Sequence, residues 1–180
     1  MVRRAVVVGV HAVGLALLIV LPARASAQRP VAVRVGGGFT PTASARTFVY
    51  ETGAHAQLAL ERERLLGRLG LRVDAFVHGF RRDLAGSGLS PRTTVPGASA
   101  SLVLPLASAS GPVRPYLLAG GGTYRTELGG GDAEWHFGLS GGAGFEVGAG
   151  RVRPFAEARL HRVYDGATPR LVPVSVGLRF

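Results

Sequence analysis

The sequence predicts an all-β protein: an eight-stranded antiparallel up-and-down β-barrel of the transmembrane kind. Three observations predict it. Apolar and polar residues alternate with period two over most of the chain, the mark of strands with two unlike faces. No stretch after Gln28 reads as an amphipathic helix, and 27 glycines weigh against helices throughout. The N-terminus reads as an export leader.

That leader comes first. Arg3 and Arg4 precede an apolar run from Ala5 to Leu21, broken only by His11, and Ala25-Ser26-Ala27 follows. A basic start, an apolar middle and a small-residue site describe a secretory signal peptide, predicted over residues 1–27. The other reading, a membrane anchor, needs a span of roughly 17–25 residues, and this run is at the short end. The remaining residues, 28–180, form one domain. Removing Arg3, Arg4 and Arg24 leaves 18 arginines against 11 acids, a charge of +7. Lys and Cys are absent, which excludes disulfides, thiolate metal sites and a cysteine nucleophile. The arginines are scattered along an exported chain, so nucleic acid is not the expected partner.

The strands follow in order. Val31, Val33, Val35 and Phe39 alternate with Ala32, Arg34, Gly36 and Gly38. Phe48, Tyr50, Thr52, Ala54, Ala56, Leu58 and Leu60 alternate with Glu51, His55, Gln57 and Glu61. Leu69, Leu71, Val73, Ala75 and Val77 alternate with Arg72, Asp74, Phe76 and His78. Ala98, Ala100, Leu102 and Leu104 alternate with Gly97, Ser99, Ser101 and Val103. Arg114 to Tyr124 is apolar on both faces and has no predicted orientation. Trp135, Phe137, Leu139, Ala143, Phe145 and Val147 alternate with Glu134, His136, Ser140 and Glu146. Pro154, Ala156, Ala158 and Leu160 alternate with Phe155, Glu157, Arg159 and His161. Val172, Val174, Val176, Leu178 and Phe180 alternate with Pro173, Ser175, Gly177 and Arg179.

An even strand count puts both ends of the chain on one side of a membrane. A sheet crosses a bilayer only if it closes on itself, because backbone amides cannot stay unpaired in lipid. The polar face then belongs inside, where Arg72, Asp74, Glu157 and Arg159 can pair in a lumen just wide enough for side chains. The apolar face belongs outside, with Phe39, Phe48, Tyr50, Trp135, Phe137 and Phe180 near strand ends as aromatic girdles. The alternative is a soluble, secreted, lipocalin-like ligand-binding barrel with the faces reversed.

With the N-terminus in the periplasm, Arg62–Arg68, Pro105–Val113 and Gly148-Ala149 are expected as periplasmic turns. Thr40–Arg46, Arg81–Thr93, Arg125–Asp132 and Arg162–Pro169 are expected as extracellular loops. Gly148-Ala149 reads as a two-residue type II′ hairpin. That turn sets a register in which Ser140 faces Glu157, Gly138 faces Arg159 and His136 faces His161. Glycines opposite Arg and Phe are then space for large lumen groups. The Gly120-Gly121-Gly122 and Gly141-Gly142-Ala143-Gly144 runs lack a following helix and are not nucleotide cradles.

Several segments carry a family resemblance: Pro115-Tyr116-Leu117-Leu118-Ala119-Gly120-Gly121-Gly122, Gly138-Leu139-Ser140-Gly141-Gly142-Ala143-Gly144, Phe155-Ala156-Glu157-Ala158-Arg159, and the ending Val174-Ser175-Val176-Gly177-Leu178-Arg179-Phe180. The chain resembles the small bacterial outer-membrane β-barrel superfamily of OmpA, OmpX and OmpW-type proteins. The resemblance implies outer-membrane lipid and lipopolysaccharide as surroundings. It also implies recognition of the Phe180 segment by the barrel assembly machinery. It does not imply one activity.

The residues favour a non-enzymatic barrel with a structural or surface-interaction role, its lumen plugged by charges. Arg81, Arg82, Arg92 and Arg125 read either as contacts to lipopolysaccharide phosphates or as solvated loop charges. A narrow, porin-like channel is one alternative. A lipid-modifying enzyme is another, but His136 and Ser140 share the lumen face four residues apart. No catalytic, cofactor or metal residue is assigned. His78, His136 and His161 are expected near the outer end of the lumen without a defined third metal ligand.

Overall fold

The computed structural model describes residues 31–43, 52–81, 92–107, 111–127, 133–164 and 170–180. The predicted leader, Phe48 and Tyr50 lie outside this set. So do the side chains of Arg81, Arg82 and Arg92.

Ten strands form one antiparallel sheet: β1 (Ala32–Thr40), β2 (Thr42–Ala43), β3 (Gly53–Leu66), β4 (Leu69–Arg81), β5 (Arg92–Pro105), β6 (Val113–Glu127), β7 (Ala133–Val147), β8 (Arg153–Val163), β9 (Arg170–Leu171) and β10 (Val174–Arg179). Each long strand from β3 to β8 pairs with the next, β8 pairs with β10, and β10 pairs with β1. The two short strands continue the closing pair past Pro41 and Pro173, with Thr42 opposite Leu171. The result is a closed eight-stranded barrel. Closure is direct at its seam. The Phe180 amide donates to the Val33 carbonyl at 2.8 Å, and the Val33 amide donates back to Phe180 at 3.2 Å. A continuous ladder is what a sheet needs in a medium that cannot solvate its amides.

The faces separate as alternation predicts. Val35, Phe39, Leu58, Val77, Leu102, Trp135, Phe137, Phe145, Leu160, Val176, Leu178 and Phe180 all stand exposed on the outer wall. Arg34, His55, Glu61, Arg72, Asp74, His78, Glu146, Glu157, Arg159, His161, Ser175 and Arg179 are buried inside it. A soluble barrel would bury the first set and expose the second. The lipocalin-like alternative is therefore wrong in its orientation.

Strand β6, apolar on both faces, turns its even-numbered residues inward. Tyr116 and Leu118 pack with Val103 of β5 in a small buried cluster, while Leu117 is exposed. Strand lengths also exceed expectation. β3 runs on to Leu66, with a register irregularity between Arg62 and Leu66, so the connection to β4 is only Gly67-Arg68. The predicted turn at Arg62–Arg68 is mostly strand.

The β7–β8 connection is longer than predicted. It spans residues 148–152, and facing residues pair as Ser140–His161, Gly142–Arg159 and Gly144–Glu157. The proposed pairings Ser140–Glu157, Gly138–Arg159 and His136–His161 are thus wrong by four residues. The Gly148 amide donates to the Pro112 carbonyl at 2.7 Å, so the neighbouring β5–β6 connection holds this end open instead of a tight hairpin. An even shift leaves every side chain on its predicted face.

Candidate functional site

The lumen is divided along its axis. The half toward Ala32 and Phe180 holds an ionic network, and the half toward Thr40 and Leu171 holds rings. In the ionic half, buried Arg34, Arg72, Arg153, Arg159 and Arg179 meet buried Glu61, Asp74, Glu146 and Glu157 and half-buried Glu63. Five guanidinia thus face five carboxylates.

Glu157 is the hub. It accepts from Arg72 Nη2 at 2.8 Å, from the Tyr116 hydroxyl at 2.7 Å and from Arg159 Nε. Arg159 also forks onto Asp74, with bonds of 3.1 and 2.8 Å, the bidentate geometry that suits a guanidinium. Arg34 donates to Glu61 at 2.8 Å and to Glu146, and it lies 5.0 Å above both the Tyr116 and Phe155 rings. Arg179 donates to Glu63. The members come from β1, β3, β4, β6, β7, β8 and β10, so the network ties the wall across its diameter. Glycines make room for large lumen side chains in both halves. A Cβ at Gly144 would lie 2.5 Å from the Tyr116 hydroxyl, and one at Gly138 would lie 2.6 Å from the Tyr124 ring.

In the other half, Phe76, Phe80, Val95, Tyr124, Val163 and Leu171 form a buried cluster. Three histidines join it. His55 and His78 stand opposite each other on β3 and β4 with centroids 5.4 Å apart, and His161 is 5.8 Å from His78. His55 bonds Thr40 and Ser175, His78 shares Thr40, and His161 bonds the Tyr124 hydroxyl at 2.7 Å. His78 and His161 lie at this end of the lumen as expected, and His136 stands across the sheet from Tyr124 on the same face. The addition is His55, opposite His78. The β3–β4 register, set by a short turn, is the signal that could have found His55. Among the described residues, no group of three or more potential ligands is arranged to hold a metal.

The structure does not bring His136 and Ser140 together as a catalytic pair. They are four residues apart on one strand, roughly 13 Å at 3.3–3.4 Å per residue. The buried Ser140 hydroxyl has no hydrogen-bond partner.

Outside the barrel, the loop end carries a belt. Trp135, Phe137 and Tyr164 are each about half exposed. Phe137 and Tyr164 stack with centroids 6.2 Å apart and planes 9° from parallel. The Arg162 guanidinium lies 5.3 Å from the Tyr164 centroid. Arg125 stands directly opposite Trp135 across β6 and β7, and Arg170 is exposed on β9. Arg125 was expected at this end. Arg162 was assigned to a loop, but it sits within β8 on the outer face, following Leu160.

Neither a protein-family model nor a curated protein matches the sequence. Solved structures do. Neisserial surface protein A aligns over 83% of this chain and 94% of its own, with 19% identity and a TM-score of 0.55. The N-terminal β-barrel domain of Pseudomonas aeruginosa OprF aligns over 85% and 98%, with 11% identity and a TM-score of 0.49. Ail, the attachment invasion locus protein of Yersinia pestis, solved with the heparin analogue sucrose octasulfate, aligns over 83% and 96%, with 13% identity and a TM-score of 0.48. With its apolar exterior, ionic lumen and seam closed by the last residue, this chain has the fold of the small eight-stranded outer-membrane β-barrels.

Proposed function

We propose that the protein is a non-enzymatic outer-membrane barrel that acts at the cell surface by holding the phosphorylated headgroups of outer-leaflet lipopolysaccharide. The observation that carries this reading is the loop-end belt. Arg125, Arg162 and Arg170 project from the outer wall at the level of an aromatic girdle. An arginine on the outer wall has no lumen carboxylate within reach. Its favourable partner there is a lipid phosphate, met as a charge-assisted hydrogen bond. The flanking rings occupy the depth where amphipathic aromatics sit in a bilayer interface. The same reading gives the Phe180 segment to the barrel assembly machinery as the strand that it engages before closure.

The test is thermal. The protein is placed in nanodiscs of phosphatidylcholine with or without lipopolysaccharide, and the temperature of its gel-mobility transition is read. Lipopolysaccharide is expected to raise that temperature for the native protein, and Arg125→Gln with Arg162→Gln is expected to remove more than half of the rise. An equal rise in the double variant would overturn the assignment.

A filled lumen also argues against the channel alternative. Five guanidinia paired with five carboxylates, together with a ring cluster, leave a conducting path only if the network opens. Planar bilayers containing the native protein are therefore expected to show no sustained conductance steps, and stable open steps would favour the channel.

A further inference from the structure

The barrel end near Ala32 and Phe180 has a mouth that borders the ionic network and lies away from the loop-end belt. It is a concavity of about 460 Å3 beside the β3–β4 turn and the β5–β6 connection. Its charged lining is Glu61, Glu63 and Glu146 together with Arg64, Arg68 and Arg114.

The two sets differ in what they already hold. Glu61 is met by Arg34 and Arg72, Glu63 by Arg153 and Arg179, and Glu146 by Arg34, Arg153 and Arg179. The mouth arginines have no such partner: among the described residues, none of the three pairs with a carboxylate. Arg68 donates only to the Pro105 carbonyl, at 3.2 Å. The Arg114 Nε is buried and has no hydrogen-bond partner. A guanidinium cannot give up its proton, so each stays a cation with donors to spare. Arg62 and Arg151 are exposed at the same end and add to the field, and among the described residues neither pairs with an acid. A concave surface lined by surplus charge of one sign focuses its field and concentrates the counter-ion. Arg64 joins this lining from a left-handed backbone, φ 52°, inside the irregular stretch of β3. That conformation is uncommon for a residue with a side chain, and it occurs at functional sites.

We propose that this mouth is an anion site that takes a phosphate group. Three guanidinia around one volume ask for more acceptors than the two oxygens of a carboxylate. A terminal phosphate offers three oxygens and geometry that matches the arginine fork. The group can come from a water-soluble phosphate compound or from the headgroup of an anionic phospholipid at the rim.

The experiment is isothermal titration of the full barrel in phosphatidylcholine nanodiscs with inorganic pyrophosphate. One saturable site per barrel is expected. Arg68→Gln and Arg114→Gln are each expected to weaken it about tenfold, the factor that follows from losing one charge-assisted contact. The triple variant Arg64→Gln, Arg68→Gln, Arg114→Gln is expected to lose it. Arg162→Gln, at the opposite end, is expected to leave it unchanged, which separates this site from the lipopolysaccharide belt. Heat-shifted gel mobility confirms folding of each variant. If the triple variant does not fold, the exposed Arg68 decides alone. No saturable binding to the native barrel, or unchanged affinity in a folded triple variant or in Arg68→Gln, overturns the proposal. The same titration in phosphatidylglycerol nanodiscs assigns the source: lost binding means the lipid headgroup already fills the site, and retained binding means the ligand is soluble.

Discussion

Replacing Glu157 with Gln is expected to destabilise the barrel by about 3–5 kcal/mol, the cost of breaking a buried ion pair from one side. The side chain is fully buried. It accepts from Arg72, Tyr116 and Arg159 at once. Gln keeps the shape but not the charge, and one of its two acceptor oxygens becomes a donor facing guanidinia. Arg72 would be left with Glu61, 3.6 Å away, and Arg159 with Asp74 alone. Tyr116→Phe is the graded control. It removes one neutral donor and is expected to cost about 1–3 kcal/mol. Urea unfolding in lipid vesicles measures both, and Trp135, the single tryptophan, supplies the signal from the outer wall. A loss below about 1 kcal/mol for Glu157→Gln would mean that the ionic half of the lumen is not what holds the wall together.

The reason such a network was legible in the sequence is parity. Side-chain period two puts Arg72 and Asp74, or Glu157 and Arg159, on one face whatever strand they oppose. Closing the sheet then leaves that face nowhere but inside. Register was less legible because it depends on connections. The Gly148 turn looked like a two-residue hairpin, yet its amide is taken by Pro112 of a neighbouring connection, a contact no local pattern announces. The four-residue error preserved faces and changed partners. That is why Glu157 was correctly placed in the lumen while its cross-strand neighbour was named as Ser140 instead of Gly144. The stretch from Arg62, just after Glu61, was expected to be a turn, beginning with the charged run Arg62-Glu63-Arg64. In the structure Glu61 and Glu63 reach the lumen end or the mouth and Arg62 faces out, so alternation persists as far as the irregularity that brings Arg64 to the mouth. β6 had no polar face to orient it, and only the packing of Tyr116 and Leu118 on Val103 decides its sides. The belt was half legible. Arg125 follows from strand ends, but Arg162 required knowing that β8 continues to Val163.

Introducing an arginine at Val176 is the sharpest probe of the outer face. Val176 lies near the middle of β10, opposite Gly37 on β1 and Ala156 on β8, and 64% of it is exposed. Its neighbours across the seam are small, so the new side chain meets no steric obstacle on the wall. What it meets is hydrocarbon. An arginine on the lipid face of a barrel near the bilayer midplane costs about 2–4 kcal/mol, and the cost falls to about 0–1 near the interfaces. Val176→Arg is therefore expected to lose about 2–4 kcal/mol in phospholipid vesicles. Tyr164→Arg, at the loop-end belt, should lose no more than about 1 kcal/mol. The contrast carries the information, because both substitutions place the same charge on an exposed position of the same barrel. A depth-dependent penalty can arise only if the exposed wall is solvated by acyl chains. Equal, near-zero penalties at both positions would mean that water covers this wall, and an ionic lumen inside a water-covered barrel would then have no reason to be inside.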